Sequence, residues 1–542
     1  MQTIQLLADS AVTADRDTMT FEFPYESPSI QPPLQEWPVA VHALHNSELA
    51  ELRISARNNL AAAAQKYQSA LSALAGDAGL SAGSFPEYSS PDLPLILTGH
   101  QPIVFHPGLV CKYQLTQQFA IRNQAYGAAV CIDSDFGDAG AFCSPAVPAA
   151  DTTDCQQIEQ RNVSWSTKPS LLLNSRLISA TARQSLAASV QADLLKCNCA
   201  ESAAAFGQFA ERLQNLPEGA AAPAMTLLRQ SAGIGNALAE VPLTELCRLP
   251  EAIRFFAAVL RRAPDFHSVY NQTMQDFRSQ QDIRNPANPF PDLQSDDEGF
   301  ELPFWMIQVS ADSRLPLWLR RRNSEQWLCC GPERICSLSP GHEAEALMAC
   351  LLSGYLAVPR GALITAFLRL LFCDLFVHGL GGGRYDPATD QLIRNWWQED
   401  PPPFAAVSGS RYLFPEQRHR LAEEQQLLAG LRELQQHPEH YLNSGYFDEQ
   451  TCARLQQLIS QKQLALRELQ QNRELGQPSR DVGQKLQSLG QELRNTVSSA
   501  LQPRLAFSSM LTTESLAALQ SRLWPWFFFS DHQQAFASEF TL

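Results

Sequence analysis

The feature that most restricts the fold lies between Pro91 and Asp138, where two short apolar segments flank a helix-like segment. The first apolar segment reads LPLILTG, and the second, AAVCIDSD, covers residues 128–135. Two short apolar segments joined by one helix within about 45 residues are typical of a βαβ unit, whose strands lie parallel in one sheet. The sequence therefore predicts an α/β fold with a parallel-sheet core.

Length and composition limit the classes of protein to which the chain can belong. The chain has 542 residues, too many for one ordinary core, so we expect roughly two to four compact units. Hydrophobic residues make up 45% and charged residues 18%, a balance typical of globular proteins and not of disordered ones. The net charge is −15, and basic residues form only short clusters such as Arg320 to Arg322, so we expect no nucleic-acid partner.

The sequence indicates neither a membrane span nor an export signal. Arg369 and Asp374 interrupt the most apolar stretch, ALITAFLRLLFCDLFVHGL, which therefore indicates a buried element, and we expect no membrane partner. The first residues, MQTIQLLADSAVTADRDT, lack the basic start and apolar core of a signal peptide. The 13 cysteines show neither framework spacing nor a C-x-x-C pair, so we expect reduced thiols, no metal site and a cytoplasmic protein.

Changes in sequence character divide the chain into six segments. Alanine and leucine dominate much of the third segment, glutamine and leucine the fifth, and the last contains RLWPWFFF, which is too aromatic to remain in water. The predicted segments are residues 1–90, an N-terminal helical segment; 91–144, the first βαβ part of the core; 145–282, a helical insert; 283–410, the second part of the core; 411–500, a coiled coil; and 501–542, an aromatic tail that packs on the core.

The fifth segment carries three apolar seams with a spacing of three and four residues. They contain Leu421, Leu428, Leu431 and Leu434; Leu455, Leu458, Lys462, Leu466 and Leu469; and Leu486, Leu489, Leu493 and Val497. Such seams predict three coiled-coil helices. Breaks near Pro438 and Pro478 separate these helices along the chain. The three helices could cover their seams in a bundle within one chain. Because the seams are narrow and flanked by Gln and Glu, we favour a homodimer joined through residues 415–500.

The loop TGHQPIVFHPG, residues 98–108, is the first candidate site. It places His100 and His106 where a predicted strand ends and a helix begins. Ligands of open α/β sheets gather at the carboxyl ends of strands, and the first N–H groups of a helix attract anions. The two histidines could act as acid/base or anion-stabilising groups. Alternatively, they are polar loop residues that bond the backbone.

The second candidate site is CIDSDFGDAG, at the end of the second predicted strand. A spacing of two residues places Asp133 and Asp135 on one face of a strand. Paired carboxylates can hold a metal, bind hydroxyl groups or shift each other's pKa. The alternative is a turn with exposed acids that bond the backbone. We predict that His100, His106, Asp133 and Asp135 line one cleft as catalytic residues.

The third candidate site is HGLGGGRYD, which begins at His378. Glycines at 379 and 381–383 let main chain approach a ligand, and Arg384 could pair with an anion. Asp386 is a good N-cap for a following helix, with Pro387 at its first position. The alternative is a turn that serves packing alone. Neither a full G-x-G-x-x-G nor a P-loop is present, so the cofactor stays open, with a nucleotide as one candidate.

The order of these motifs resembles the cysteine-adding enzymes of bacillithiol synthesis, also described as cysteine ligases. The resemblance covers roughly residues 90–540: TG-[polar]-Q…PG-x-x-x-K, a strand ending in acids, an apolar helix before a glycine turn, a long coiled coil and an aromatic tail. It implies a Rossmann-like core related to nucleotidyltransferase-like synthetases, helical inserts, and a coiled coil that joins two subunits. It also implies condensation of cysteine with an amino-sugar conjugate.

The resemblance assigns positions within all three candidate sites: Thr98, Gly99, Gln101, Gly108 and Lys112 match its first loop and helix, Asp133 and Asp135 its acid-rich strand end, and Gly381 to Gly383 its glycine turn. The substrate- or anion-binding residues that we predict are Thr98, Gly99, Gln101, Gly108, Lys112, His378, Gly381, Gly382, Gly383 and Arg384. The family's loop usually has Gln where this chain has His100, and His106 replaces a small or hydroxyl residue. Our expectation is a carbon–nitrogen ligase that acts on a small molecule. The alternative is a non-catalytic dimeric ligand-binding or scaffold protein that works through its coiled coil.

Overall fold

The computed structural model describes residues 26–148 and 157–531 and shows a mixed α/β protein. The chain forms two compact units. The described part of the α/β unit is residues 26–145, 161–411 and 522–531, and that of the helical unit is 146–148, 157–160 and 412–521. Within these described ranges, no helix combines the length and apolar character needed to cross a membrane.

Sixteen strands are present in the described residues. They are β1 (Ser29–Gln31), β2 (Leu95–His100), β3 (Tyr126–Cys131), β4 (Phe136–Gly137), β5 (Ala141–Ala146), β6 (Glu159–Ser164), β7 (Ser170–Leu171), β8 (Ala239–Pro242), β9 (Ser295–Asp296), β10 (Gly299–Gln308), β11 (Ser313–Arg322), β12 (Glu325–Cys330), β13 (Glu333–Leu338), β14 (Tyr355–Pro359), β15 (Leu375–His378) and β16 (Phe404–Ser408).

The α-helices alternate with these strands in the first part of the chain and stand alone in the second. They are α1 (Ser47–Ala78), α2 (Pro107–Arg122), α3 (Ala180–Lys196), α4 (Ala200–Gln214), α5 (Ala221–Ser231), α6 (Leu243–Leu246), α7 (Pro250–Arg261), α8 (Ala263–Gln280), α9 (Glu343–Leu352), α10 (Ala362–Leu371), α11 (Leu380–Leu392), α12 (Pro415–Gln436), α13 (Glu449–Glu474), α14 (Arg480–Leu505), α15 (Phe507–Met510) and α16 (Thr513–Gln520).

The main sheet of the α/β unit has the strand order β1-β16-β15-β2-β3-β8. β16, β15, β2, β3 and β8 are parallel, and the edge strand β1 is antiparallel, so the predicted α/β class with a parallel sheet is confirmed. The chain runs from β2 outward to β3 and β8, then returns to place β15 and β16 on the other side of β2. The strand order therefore reverses between β2 and β15, a position that we call the switch point.

Helices cover both faces of this sheet because the strands are apolar on both sides. On one face, Ile96 and Val377 pack with Leu115 and Phe119 of α2. On the other face, Leu97 and residues of β15 join the large core that includes α1, α10 and α11. A second, antiparallel sheet has the order β13-β12-β11-β10-β14, in which β10 and β11 form a hairpin.

The buried carboxylate of Asp374 joins α1 to the amino end of the main sheet. Its Oδ1 accepts hydrogen bonds at 2.7 Å from the guanidinium groups of Arg53 and Arg57 and from the main-chain N–H of His42. Its Oδ2 accepts from the main-chain N–H of Leu95, the first residue of β2, at 2.8 Å. All three charged side chains are at most 5% exposed. One carboxylate thus fixes the starts of β15 and β2 against the helix.

The structure corrects two local predictions in the core. The segment predicted as a helical insert, 145–282, contains β8, which pairs with β3 in the main sheet. Asp386 is not an N-cap: α11 begins directly after Gly379, and Asp386 and Pro387 lie inside it. The glycines start the helix because α11 packs closely on the sheet, where a Cβ at Gly383 would lie 2.4 Å from the Cβ of Ala406.

The helical unit is built from α12, α13 and α14, which share one apolar core. The seam passes through Leu427 and Ala465, which are buried, whereas the predicted seam residues Leu428 and Leu466 are 54% and 47% exposed. Strict alternation of three and four residues from Leu455 reaches Ala465, so the prediction was wrong at Leu428 and Leu466, whereas most of the other predicted seam residues are buried in or packed against this core. The three helices cover these seams within one chain.

The aromatic tail was predicted to pack on the core from residue 501. Residues 501–521 belong instead to the helical unit, and residues 522–531 to the α/β unit. There the ring of Phe527 stacks on Phe209 of α4 at 3.9 Å between centroids, and Trp526 meets the same ring edge-on. The predicted tail beyond residue 531 lies outside the described residues.

We expect that Asp374→Asn destabilises the protein by about 3 kcal/mol, because it leaves two buried guanidinium groups without their carboxylate. Urea unfolding followed by circular dichroism would measure the loss. The control is Asp92→Asn, at an exposed aspartate before β2, which should change the free energy of unfolding by less than about 0.5 kcal/mol. Equal stabilities of the two variants would contradict the role assigned to Asp374.

Candidate functional site

The switch point brings two of the three predicted sites together. Val377 of β15 pairs with Thr98 of β2 in parallel register, so the next residues, His378 and Gly99, are neighbours at the carboxyl edge. Residues 98–108, the histidine loop, leave β2 at this edge, and residues 378–383, the glycine turn, leave β15. Ligands of open parallel sheets bind in the crevice at such a position.

The histidine loop is held from both sides. The buried hydroxyl of Thr98 donates to the carbonyl of Val377 at 2.8 Å, which joins the ends of β2 and β15. The amide of Gln101 donates to the carboxylate of Asp135 at 2.7 Å. Thr98 and Gln101 therefore position the loop, and both were predicted as binding residues through the family resemblance alone.

His106 caps α2. Its Nδ1 accepts a hydrogen bond from the main-chain N–H of Gly108 at 3.1 Å. A Cβ at Gly108 would lie 2.9 Å from both the His106 ring and the hydroxyl of Ser408, so only glycine fits there. Burial, together with the positive charges of Arg522 and Lys112, lowers the pKa of His106 to about 4. The imidazole is therefore neutral near pH 7 and can accept this capping bond.

Lys112 lies buried beneath the loop, with its side-chain Nζ 2.7 Å from the carbonyl oxygen of Gly99. Burial and the nearby charge of Arg229 lower the pKa of Lys112 to about 7. Burial and the charge of Lys112 also lower the pKa of His100 well below its usual range. The ring of His100 meets Phe105 edge-on, and its Nδ1 lies 3.2 Å from the carbonyl of Gln101.

The two predicted aspartates do not act as a pair. β3 ends at Cys131, so the prediction that Asp133 and Asp135 share one face of a strand is wrong. The Asp133 carboxylate is buried and accepts from the N–H of Thr244 at 3.0 Å and from its hydroxyl at 2.5 Å. Burial raises the pKa of Asp133 to about 6. Asp135 is partly exposed and contacts the guanidinium of Arg314 at 2.5 Å.

The glycine turn forms the first turn of α11. No side chain caps this helix, and a Cβ at Gly379 or Gly381 would meet no atom within 4 Å, so space lies open beside its first N–H groups. Gly382 is restricted, because a Cβ there would lie 2.5 Å from Nδ1 of His378. Arg384 is exposed on the same turn. The start of α11 can therefore accept an anion.

The sequence reasoning missed residues that complete this edge. Ser408 is the last residue of β16 and Ser410 follows it, and the guanidinium of Arg522 donates to both hydroxyls. Asp386, predicted as a cap, instead lies 3.0 Å from Nε2 of His378. A Ser-Gly-Ser after an apolar strand was the only local signal, because Arg522 lies more than 100 residues away along the chain.

The electrostatics of the edge favour an anionic ligand. The nearby cations that lower the pKa values of His100, His106 and Lys112 are Lys112, Arg522 and Arg229, and Arg229 is paired with the buried carboxylate of Glu240. Burying like charges together is unfavourable unless an opposite charge compensates them. Within residues 26–148 and 157–531, no group of three or more His, Cys, Asp or Glu side chains could hold a metal ion. The arrangement suits a carboxylate or phosphate.

Comparisons with protein-family models, with curated proteins and with solved structures find no match to this chain.

Lys112 should make stability depend on pH above neutrality. Its folded pKa of about 7 lies below the model-peptide value of 10.5, so between these values the unfolded chain binds the extra proton and stability rises with pH. Lys112→Met removes this contribution. We expect the stability of wild type relative to Lys112→Met to rise by about 1.4 kcal/mol per pH unit from pH 7 to 9.

Urea unfolding of both proteins at each pH would measure this difference, in which contributions common to both chains cancel. The control is Lys66→Met, at a lysine whose side chain is 83% exposed, for which the difference should not vary with pH. A difference between wild type and Lys112→Met that stays constant from pH 7 to 9 would show that Lys112 keeps its proton in the folded state.

Proposed function

We propose that this chain is a carbon–nitrogen ligase with a Rossmann-like core, similar to the cysteine-adding enzymes of bacillithiol synthesis. In this proposal it condenses an amino acid such as cysteine with the amine of a small molecule such as an amino-sugar conjugate. The reaction occurs at the carboxyl edge of the main sheet. The helices of the helical unit form a coiled coil that joins two subunits.

The observation that carries the proposal is the position of the histidine loop and the glycine turn at the switch point. The order β8-β3-β2-β15-β16 places β2, the first parallel strand in the sequence, at the centre, as in Rossmann-type sheets, where substrates bind beside that strand. The same edge holds the half-buried His106 and His100, whose pKa values are lowered, and the uncapped start of α11. These groups suit a substrate carboxylate and the negative charge that develops on its oxygen during acyl transfer.

A nucleotide fits this edge as the activating group. The N–H groups at the start of α11, with open space beside Gly379 and Gly381, would hold its phosphates. When bound, a nucleoside triphosphate supplies the energy that a free carboxylate needs to form an amide. Lys112 would then orient the carboxylate. The amine would bind on the side of the crevice opposite Lys112.

The ligase proposal predicts a product whose mass equals cysteine plus the amino-sugar conjugate minus water. The measurement is mass spectrometry after incubation with cysteine, glucosamine malate, ATP and Mg²⁺. The matched variant is His100→Ala with His106→Asn, because Asn preserves the cap of α2 while both imidazoles are lost. We expect its rate to fall about 100-fold with a nearly unchanged melting temperature.

The control is His419→Ala, at an exposed histidine of the helical unit, which should keep the wild-type rate. The absence of product from wild type with these substrates would refute the proposed reaction. Product formed at the wild-type rate by the double variant would remove the two histidines from the mechanism and leave the ligase assignment standing.

A second candidate is a non-catalytic dimeric scaffold that works through the helical unit. The observation in its favour is a set of leucines that remain exposed on α12 and α13 after the seams are covered: Leu428, Leu464 and Leu466 are each 47% to 62% exposed. Exposed leucines of this kind mark association surfaces when they are contiguous.

Both candidates predict a homodimer, which light scattering at micromolar concentration would detect. The variant Leu464→Glu with Leu466→Glu should shift it towards the monomer, because the introduced charges would be buried in the interface. The control is Leu195→Glu, at a leucine of α3 that is 55% exposed in the α/β unit. A wild-type protein that runs as a monomer would contradict the dimer.

A further inference from the structure

His378 and Asp386 form a contact that the sequence analysis did not foresee. His378 is the last residue of β15, at the switch point, and its Nε2 lies 3.0 Å from Oδ2 of Asp386 in the second turn of α11. The two atoms are within ion-pair distance, but they do not meet the geometry of a hydrogen bond. Nε2 has no other partner among the described residues. Such contacts often tighten only when substrate is bound.

The Asp386 carboxylate is fixed and ionised. Its side chain is 2% exposed, and the guanidinium of Arg369, which is fully buried, donates to the same oxygen at 2.7 Å. Burial raises the pKa of Asp386, but an imidazolium at His378, the form that follows proton uptake, and the guanidinium of Arg369 outweigh burial and lower it. A buried, ionised carboxylate beside an imidazole selects the tautomer with the proton on the facing nitrogen, Nε2.

The opposite nitrogen, Nδ1, faces the glycine turn. A Cβ at Gly382 would lie 2.5 Å from Nδ1, so only glycine leaves room for the imidazole here, and no described residue hydrogen-bonds this nitrogen. The rings of Phe376 and Phe404 lie 4.4 and 5.7 Å from the imidazole and restrict its rotation. His378 therefore presents an oriented acceptor nitrogen beside the open start of α11.

We propose that His378 is the general base that takes the proton from the attacking amine, and that Asp386 is the positioning residue that orients it. This inference rests on the proposed ligase function and adds a catalytic group to it. A histidine that only filled space would need neither a buried carboxylate on Nε2 nor a glycine beside Nδ1. The histidine loop, on the neighbouring strand, would then bind the acyl substrate and not the proton.

The step balances as follows. The nitrogen of a neutral amine attacks the carbonyl carbon of an acyl phosphate, the C–N bond forms, and the C–O bond to phosphate breaks. Phosphate leaves with the electron pair of that bond. The surplus proton on nitrogen passes to Nδ1 of His378, the negative charge of Asp386 stabilises the imidazolium, and the proton then passes to solvent.

The first test measures the chemical reactivity of the His378 imidazole and does not depend on catalytic activity. Diethyl pyrocarbonate acylates the unprotonated nitrogen of histidine, and peptide mapping by mass spectrometry gives the rate at His378. Asp386→Asn should lower this rate about tenfold, because an amide no longer holds the proton on Nε2. The control is Asp390→Asn, which removes the other carboxylate 2.7 Å from Arg369 and should leave the rate within about twofold.

The second test uses the ligation assay. His378→Ala should lower kcat about 100-fold and change KM by less than about threefold. Added imidazole should then raise the kcat of this variant about tenfold, which would not happen if His378 had a purely structural role. Asp386→Asn should lower kcat and leave KM similar. This variant should fold, because Arg369 keeps Asp390 and the carbonyl of Pro402, and melting curves would verify it.

The outcomes separate this inference from the proposed function. An unchanged labelling rate in Asp386→Asn would overturn the pair, as would a His378→Ala variant that keeps its kcat. If wild type forms no ligation product, the proposed reaction fails. In that case the labelling rate alone tests the pair of His378 and Asp386. A labelling rate at His378 that falls in Asp386→Asn and is unchanged in Asp390→Asn still supports an oriented base.

Discussion

The fold of the α/β unit depends on the buried carboxylate of Asp374. It binds two guanidinium groups of α1 and the first N–H of β2, so it sets where the two central strands begin. Because those strands are parallel and in register, fixing their amino ends also fixes their carboxyl ends. The histidine loop and the glycine turn therefore meet at one edge. Polar groups at the amino end of the sheet thus stabilise the fold, and the candidate site lies at the opposite end.

Local pattern was sufficient to predict the first βαβ unit and insufficient to predict β8 or how polar residues are paired. The apolar segments of β2 and β3 follow directly from the sequence, because strand length and burial agree there. Asp386 was assigned as a cap because Asp-Pro is a common helix start. It lies inside α11 because Arg369, 17 residues away, and His378 provide charges that no local rule includes.

The residues of the candidate site also divide into those that the sequence could identify and those that it could not. His100, His106 and Lys112 could be found from the sequence, because they lie in one loop and the helix that follows it. The partners that define their chemistry could not, since Ser408 and Arg522 come from distant segments. Asp133 lies near the site in sequence, but its bonds to Thr244 turn it towards α6. Proximity along the chain thus identified the loop, and only the sheet order identified the crevice.

The short edge strand β1 limits how copies of the protein can associate. It has only three residues, and Pro32 and Pro33 follow it at once, so the outer border of the main sheet offers few main-chain donors to a strand from another molecule. At the other border, β8 ends at Pro242 and is buried. Fibre-like growth by strand addition is therefore blocked at both borders of the main sheet.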